Sequence, residues 1–588
     1  MNKKLLSAMC GLLACATAAF AHPNSTSMTN NSSPAAKVQD GEDCENDPLV
    51  QQADFSKVVP LPASISAGKG LFSMTAETAI TYTPGADMQR NAEFLAQYVK
   101  DVTGMTLPVG TKGKTTIALR LEPKAKGFAS PDAYRIAVTK KGITVTAKTA
   151  AGVFYGIQTL RKALPGIRHC ANCKKVAPEV LWPLATVTDS PRFGYRGMML
   201  DCSRHFWSVA EVKRVLDILA LHNLNRFHWH LTDDQGWRFE VPGYPKLTTV
   251  GSKRAATVLG RNSELTDRTP YGPYFYTDAE IRDIVKYAAD RYITIVPEVD
   301  MPGHMTAALA AYPELGCTGG PYKVGQYWGV YNDILCLGNP KTFEFIKAVI
   351  DKLCDLFPTS TYINIGGDEA PKVRWEKCPK DQALISQQGI VAKDGQSKED
   401  LLQGYLARRV EAYLATKGRK VMGWDELLGC GVDTTATILS WRGAAPGAKG
   451  AQQGHDVVMS PTSNCYFDFD QSEDHAIEPT NCYGTLPIEK VYNWNPVADG
   501  LSEAAQRHII GVQANVWCEY ITMDHVLEYM ILPRLAALSE VQWMQQDKRS
   551  WEGFVARETK LRNLYGIYGW TYAHHMWPDE FRKVAKQY

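Results

Sequence analysis

Residues 342–369 read TFEFIKAVIDKLCDLFPTSTYINIGGDE. Apolar residues over Thr342–Leu356 recur at the three-and-four spacing of a helix with one buried face, and Tyr362–Ile365 is a short strand-type run. Gly366 and Gly367 follow, able to bring the backbone close to a ligand, and then two adjacent carboxylates, Asp368 and Glu369. The same helix-then-strand unit recurs on both sides. Met198–Leu200 leads through a helix over Val209–Leu221 to a strand over Arg226–Leu231. A helix over Asp278–Arg291 feeds Thr294–Pro297. Val421–Gly423, Ile438–Trp441, Val457–Ser460 and Ile510–Gln513 continue the series, which closes with a helix over Asp524–Trp543. Eight strands in β/α order predict an α/β fold, a (β/α)8 TIM barrel over residues 191–588. Barrels of this kind carry their chemistry at the C-terminal strand ends. Polar and aromatic residues crowd those ends here: Asp201 and Arg204, Asp233, His304, Asp368-Glu369, Trp424, Trp441, Tyr466 and Trp517 to Glu519.

Residues 54–190 read as a small α+β domain ahead of the barrel. Ala79–Tyr82, Thr116–Leu121, Tyr134–Val138 and Ile143–Ala147 alternate as strands, and Met88–Val102 and Gly152–Leu164 have helical spacing, with Phe94, Leu95, Tyr98 and Val99 as a buried stripe. The Pro-containing stretch Trp182–Pro191 predicts the domain boundary. Upstream, Lys3 and Lys4 precede an apolar run from Leu5 to Phe20, too short for a comfortable membrane span, which reads as an export signal over 1–21 cleaved before His22. Leu12-Leu13-Ala14-Cys15 is a competing, poorer lipobox that would lipidate Cys15. Residues 22–53, rich in Ser, Thr, Asn and Asp, read as a disordered spacer. The expected destination is periplasmic, secreted or cell-surface.

The 588 residues carry 64 basic and 62 acidic side chains, a net charge of +2 with no long basic run, so nothing favours nucleic acid or an anionic membrane as partner. Of 14 cysteines, two lie in the signal; in an exported chain some of the rest can pair. Cys170 and Cys173 form the only C-x-x-C. With no second pair at matching spacing, a local disulfide or two quiet thiols is expected there rather than zinc, and no metal or cofactor is expected at all.

Asp368 and Glu369 divide the chemistry unusually. Retaining glycosidases ordinarily oppose two carboxyls about 5–5.5 Å apart across the glycosidic bond, but side chains of adjacent residues diverge. The pair suits a different scheme. Glu369 acts as general acid and then base, while Asp368 steers a 2-acetamido group of the sugar, whose carbonyl attacks the anomeric carbon and forms an oxazolinium intermediate. A helix N-terminus whose acidic residues complement the dipole is the competing structural reading of the same pair.

These residues sit in a set of motifs that resembles the β-N-acetylhexosaminidases of glycoside hydrolase family 20 over nearly the whole chain after the spacer. VVPLP (58–62) resembles the opening of the family's small N-terminal domain. RGMMLDCSRH (196–205), HWHLTDDQGWR (228–238) and PEVDMPGH (297–304) resemble its first three barrel strands, and GGDE (366–369) and GWDE (423–426) are similarly diagnostic. The resemblance implies Asp368 as the acetamido-orienting residue, Glu369 as acid/base and Tyr466 as donor to the acetamido carbonyl. It implies Trp424, Trp441 and Trp517 as walls around the terminal sugar, Arg204 and Glu519 on the 3- and 4-hydroxyls, and Asp468 on the 6-hydroxyl. Asp233 and His304 would relay to Glu369, and Arg196 is assigned to structure. The implied partners are glycans ending in β-linked N-acetylhexosamine, GlcNAc or GalNAc, cleaved one terminal residue at a time.

Two rivals remain. His228 and His230 share one face of a strand, as in metal-dependent barrel hydrolases, although packing in the core accounts for them better. A sugar-binding protein without turnover would use the tryptophans alone.

Overall fold

Eight parallel strands pair in chain order: Tyr195–Asp201, Arg226–His230, Thr294–Glu298, Tyr362–Asn364, Lys420–Trp424, Thr437–Ser440, Val457–Met459 and Ile509–Val516. The last pairs back to the first, Gly511 facing Tyr195 and Val516 facing Leu200, so the sheet closes. The computed structural model describes residues 52–575 except 111, 169–171, 261–265, 394 and 480–483. The expected signal and nearly all of the spacer lie outside the described residues, as does Cys170. The predicted (β/α)8 barrel is the observed architecture. Its strands are buried on both faces, every residue of Tyr195–Asp201 included, as outer helices on a parallel sheet require.

The helices form where the sequence signals them. Val209–Leu221 opens on a capping box, in which Ser208 and Glu211 satisfy each other's backbone N–H groups, and buries Val212, Val215, Leu216 and Leu219. Asn339 caps Pro340–Leu356, where Phe345, Ile346, Val349, Ile350 and Leu353 face inward. The single helix expected over Asp524–Trp543 is two, Asp524–Ile531 and Arg534–Trp543. Pro533 sits between them; it offers no N–H, and its ring collides with the preceding turn. Among the described residues no helix is long and apolar enough to cross a membrane.

Ahead of the barrel, six strands lie side by side in the order Ser64–Met74, Val180–Asp189, Tyr134–Thr139, Gly142–Ala147, Thr116–Leu121 and Ala79–Tyr82. Most of Trp182–Pro191, the stretch read as the domain boundary, is strand. Pro183 is tolerated because it faces Leu71 beside the irregularity between Ala67 and Leu71, where the ladder is already interrupted. The helix Ala150–Ala163 is buried almost throughout, against the sheet on one side and barrel elements on the other. There Lys162 donates to Leu221 O at 3.0 Å and Asn223 Oδ1 at 3.2 Å. Arg196 joins the two layers, as its structural assignment predicts. It pairs with Asp132 at 2.9 Å and lies 4.9 Å from the Trp543 ring centre. Inside the barrel, Tyr195, Val296, Met422, Trp424, Leu439 and Val458 form an apolar cluster separate from the main core.

Candidate active site

A cavity of about 360 Å³ opens at the C-terminal strand ends. Ten of the eleven predicted site residues line it: Asp368 and Glu369 from the fourth strand end, Arg204 from the first, His304 from the third, Trp424 from the fifth, Trp441 from the sixth, Tyr466 and Asp468 from the seventh, Trp517 and Glu519 from the eighth. Asp233 does not reach the cavity surface; it lies behind Arg204 and His304. Gly329, Val330, Thr462 and Phe469, not foreseen from sequence, complete the lining. A larger depression of about 700 Å³ around Arg192, Asn495 and Gln506 lies beside the N-terminal ends of the first and eighth strands and has only Asp499 as an acidic lining residue.

The aromatic walls are fixed by carboxylates. Trp424 and Trp517 lie with ring centres 5.9 Å apart, and Trp441 stacks on Tyr466 at 6.3 Å. Trp424 Nε1 donates to Glu298 Oε1 at 3.0 Å, and Trp441 Nε1 to Glu426 Oε2 at 2.9 Å. Glu426 belongs to the GWDE motif but carried no predicted role. Burial and the nearby Asp368 charge push its carboxyl up to about 8. Arg204 is no surface ion pair. It is buried, with Asp233 at 2.9 Å, Asp201 at 3.2 Å and Glu519 at 3.8 Å, and only part of its guanidinium faces the cavity.

The Gly366-Gly367 turn sets the two carboxylates at different depths. A Cβ on Gly366, at φ +62°, would lie 2.0 Å from Asp300 Oδ1, and Gly367 N donates to that same oxygen at 2.9 Å. At Gly366 the close approach that glycine permits is to Asp300. Asp300 rests against Asp368. Burial and the Asp368 charge raise the Asp300 carboxyl well above its ordinary range, so it stays neutral and donates to Asp368. Burial pushes Asp368 up to about 6, against the opposing influence of His304 and Asp300. Asp368 Oδ1 is buried and has no hydrogen-bond partner among the described residues. Glu369, at φ +44°, turns the opposite way with a side chain 43% exposed. A non-glycine residue there stores backbone strain of the kind found at functional sites.

His304, also left-handed at φ +51°, stands between Glu369 and two aspartates. Its Nδ1 is 3.0 Å from Asp234 Oδ2 and 3.2 Å from Asp233 Oδ1, and its Nε2 is 3.6 Å from Glu369 Oε2. Asp233 and His304, expected as a relay to Glu369, thus stand in that order, and Asp234 joins them. Burial disfavours the charged ring, but Asp233, Asp234 and Glu369 outweigh it and hold His304 cationic. His304 in turn holds the Glu369 carboxyl below the usual range.

His228 and His230 are buried in the barrel interior, as expected, but hydrogen bonds rather than apolar contacts hold them. His228 Nε2 lies 2.9 Å from Glu298 Oε2. His230 Nδ1 bonds the same oxygen, and its Nε2 is 3.0 Å from Asp233 Oδ2. Burial opposes protonation of His230, yet Glu298 and Asp233 prevail and push it up to about 10. Among the described residues neither histidine belongs to a cluster of metal-ligating groups.

Comparison with known proteins fits this geometry. The family model for glycosyl hydrolase family 20, catalytic domain, matches residues 193–546, and the model for domain 2 of that family matches 56–189. A beta-hexosaminidase of Porphyromonas gingivalis is 38% identical over 86% of the chain, and the match spans 63% of that relative's length. A solved exo beta-N-acetylglucosaminidase of Vibrio harveyi, in complex with N-acetylglucosamine, superimposes with a TM-score of 0.76 at 31% identity, covering 90% of this chain and 79% of that one. The Streptomyces plicatus N-acetyl-beta-hexosaminidase, in complex with thio-NAglucal, gives 0.75 at 32% identity, covering 88% and 96%. A barrel and a leading domain matched separately and in the right order, with this identity running through both, place the protein in glycosyl hydrolase family 20.

Proposed function

We propose that the protein is an exo-acting, retaining β-N-acetylhexosaminidase working by substrate-assisted catalysis. One observation carries the reading: Asp368 Oδ1, buried and unpartnered among the described residues, lines a tryptophan-walled cavity beside the half-exposed Glu369. A terminal sugar seats its apolar face on Trp517 and Trp424, with Trp441 closing over the acetamido group. Arg204 and Glu519 take the 3- and 4-hydroxyls, and Asp468 the 6-hydroxyl. The acetamide N–H donates to Asp368 and the Tyr466 hydroxyl donates to its carbonyl.

The carbonyl oxygen attacks the anomeric carbon as the glycosidic bond breaks, and Glu369 gives its proton to the departing oxygen. Asp368 meets the positive charge that develops on the acetamide nitrogen, so its contact is strongest in the transition state. Water then attacks the anomeric carbon, Glu369 takes a proton from it, and the carbonyl leaves. Two inversions return the original configuration. In the empty site His304 keeps Glu369 ionised. Seating the sugar strips water from that carboxyl and raises its proton affinity into the range an acid needs. The natural site of action in this reading is outside the cytoplasm, with cleavage before His22; the intact mass of the mature chain tests that point, since a diacylglyceryl group on Cys15 is incompatible with it.

The decisive assay is hydrolysis of a chromogenic N-acetyl-β-glucosaminide beside the matching β-glucoside. Turnover of the first and none of the second is expected. Equal rates on both, a sugar–protein ester trapped in mid-reaction, or tight binding without turnover overturns the proposal.

A further inference from the structure

Cys317, Cys336, Cys378 and Asp381 are scattered through 65 residues of sequence and none lies in a C-x-x-C, yet their ligand atoms lie within 4.8 Å of one another. Cys336, Cys378 and Asp381 are buried. The Cys336 and Cys378 sulfurs are 3.7 Å apart; Cys317 Sγ is 3.2 Å from Asp381 Oδ2, and Cys336 Sγ 3.6 Å from Asp381 Oδ1. Zinc bonds sulfur at about 2.3 Å and carboxylate oxygen at about 2.0–2.2 Å, so tetrahedral edges are about 3.8 Å between sulfurs and about 3.5 Å between sulfur and oxygen. A disulfide would need about 2.05 Å. The Asp381 carboxylate is wholly buried, and among the described residues no basic side chain forms an ion pair with it. A buried carboxylate without a cation is costly, and a divalent ion at the centre of this set removes that cost.

The scaffold brings the four together deliberately. Cys336 N bonds Leu315 O at 2.8 Å, which closes the loop between Cys317 and Cys336 at its base. Cys378 caps the helix Pro379–Gln387 and Asp381 lies in its first turn, where the helix dipole favours thiolate and carboxylate. Gly338 N donates to Asp381 Oδ1 at 2.7 Å, orienting the carboxylate as outer partners of metal ligands do. A Cβ on Gly338 would lie 2.1 Å from Lys380 O, so only glycine lets the two segments meet. We propose that Cys317, Cys336, Cys378 and Asp381 form a closed, structural zinc site. It ties the connection after the third strand, which carries His304 and Val330, to the connection after the fourth, which begins with Asp368 and Glu369. Binding releases the three thiol protons and fills all four positions with protein ligands, so the ion stays out of the chemistry.

The test uses the full chain, purified without reductant or chelator and supplied with zinc. Metal analysis is expected to find about one zinc per chain, and exchange for cobalt to give the thiolate charge-transfer band and intense tetrahedral d–d bands. Cys378→Ser and Asp381→Ala are expected to lower occupancy about tenfold or more, whereas Asp381→Cys retains the metal and strengthens the charge-transfer band. Where a variant does not fold, the wild-type cobalt spectrum and thiol map decide. Zinc well below one per chain after supplementation, or peptide mapping that finds two of the three cysteines joined as a disulfide, overturns the site.

Discussion

Replacing Asp368 by Asn keeps the side chain's shape and removes its charge, which isolates the contact on which the proposed chemistry turns. In the ground state the acetamide is neutral, and an Asn oxygen can accept its N–H nearly as well as a carboxylate. As the carbonyl attacks, positive charge grows on the nitrogen, and only the carboxylate gains with it. Oδ1 is buried and has no other partner among the described residues, so nothing beside it takes over. Loss of one such preorganised partner costs about 2.7–4 kcal/mol, or about 10²–10³ in kcat. Asp300 limits the damage. Besides burial, the Asp368 charge is what keeps Asp300 protonated; with that charge gone Asp300 ionises more readily and restores some negative potential one layer deeper. The double variant Asp300→Asn with Asp368→Asn is therefore expected to be slower than the single one, by about tenfold. Steady-state kinetics on an aryl N-acetylglucosaminide read the effect as a collapse of kcat with KM changed by no more than about threefold, since ground-state binding is nearly preserved. A variant with kcat within about tenfold of wild type, or one whose whole loss sits in KM, refutes the reasoning.

Glu369→Gln is expected to slow cleavage of poor leaving groups by about 10²–10⁴ and to affect the first step with an activated aryl leaving group much less; equal losses on both count against an acid role. Asp368 meets the positive charge growing on the acetamide nitrogen only when ionised, and its pKa is pushed up to about 6, so kcat should fall as pH drops below about 6. A profile flat through that region contradicts the assignment. His304 is the first cause of the depressed Glu369 pKa, so in His304→Ala that pKa rises, the acid form survives to higher pH, and the basic limb of kcat, set in the sugar-bound state, should move upward; a downward move sinks the relay. Glu298→Gln removes the charge that raises His230. A folded-state pKa near 10 against about 6.5 unfolded contributes stability that is full below pH 6.5 and is lost as pH rises through 10. The difference in Tm between wild type and variant should therefore be large at pH 6.5 and shrink toward pH 10; a gap that widens with pH refutes a cationic His230.

The barrel was legible because its signal is repeated: each strand is a short apolar run and each helix has a periodic face, so errors at one unit do not spread. What failed had weak or contrary local signals. Ser64–Met74, rich in Gly and Ser and exposed over most of its length, shows no apolar alternation, yet it pairs along nearly all of Val180–Asp189. The stretch around Pro183 reads as a boundary, whereas Pro533 is passed over inside one expected helix. The first is carried by an irregular ladder and the second breaks a helix in two. At the site, ten residues that line the cavity were found because strand ends point there, whereas Gly329, Val330, Thr462 and Phe469 were not. Asp234, Asp300, Glu298 and Glu426 were not, since a carboxylate that acts through another group leaves no mark of its own in a sequence. The three cysteines and Asp381 escaped for a related reason: a ligand set is legible when its members lie close along the chain, and the fold gathers these from separate connections.

Glu298 belongs to an arrangement that only the folded geometry displays. Glu298, His230, Asp233 and Arg204 follow one another through the barrel interior with alternating charge, each against the next, and Asp233 branches through His304 to Glu369. Buried singly, the two carboxylates and the histidine would neutralise themselves by shifting their pKa, and the guanidinium would be left an uncompensated charge. Arranged in alternation they stay ionised, and the cost of burying each charge is offset by its neighbours. Two ends of this ladder emerge at the cavity: Arg204, which lines it, and Glu369, whose proton affinity the ladder lowers. Glu298 also holds the Trp424 ring. Trp424, Arg204 and Glu369, which in the proposed mechanism wall, anchor and protonate the sugar, are therefore set by one connected charge network, so a substitution deep in the barrel reaches them through pKa and orientation without any change at the cavity surface.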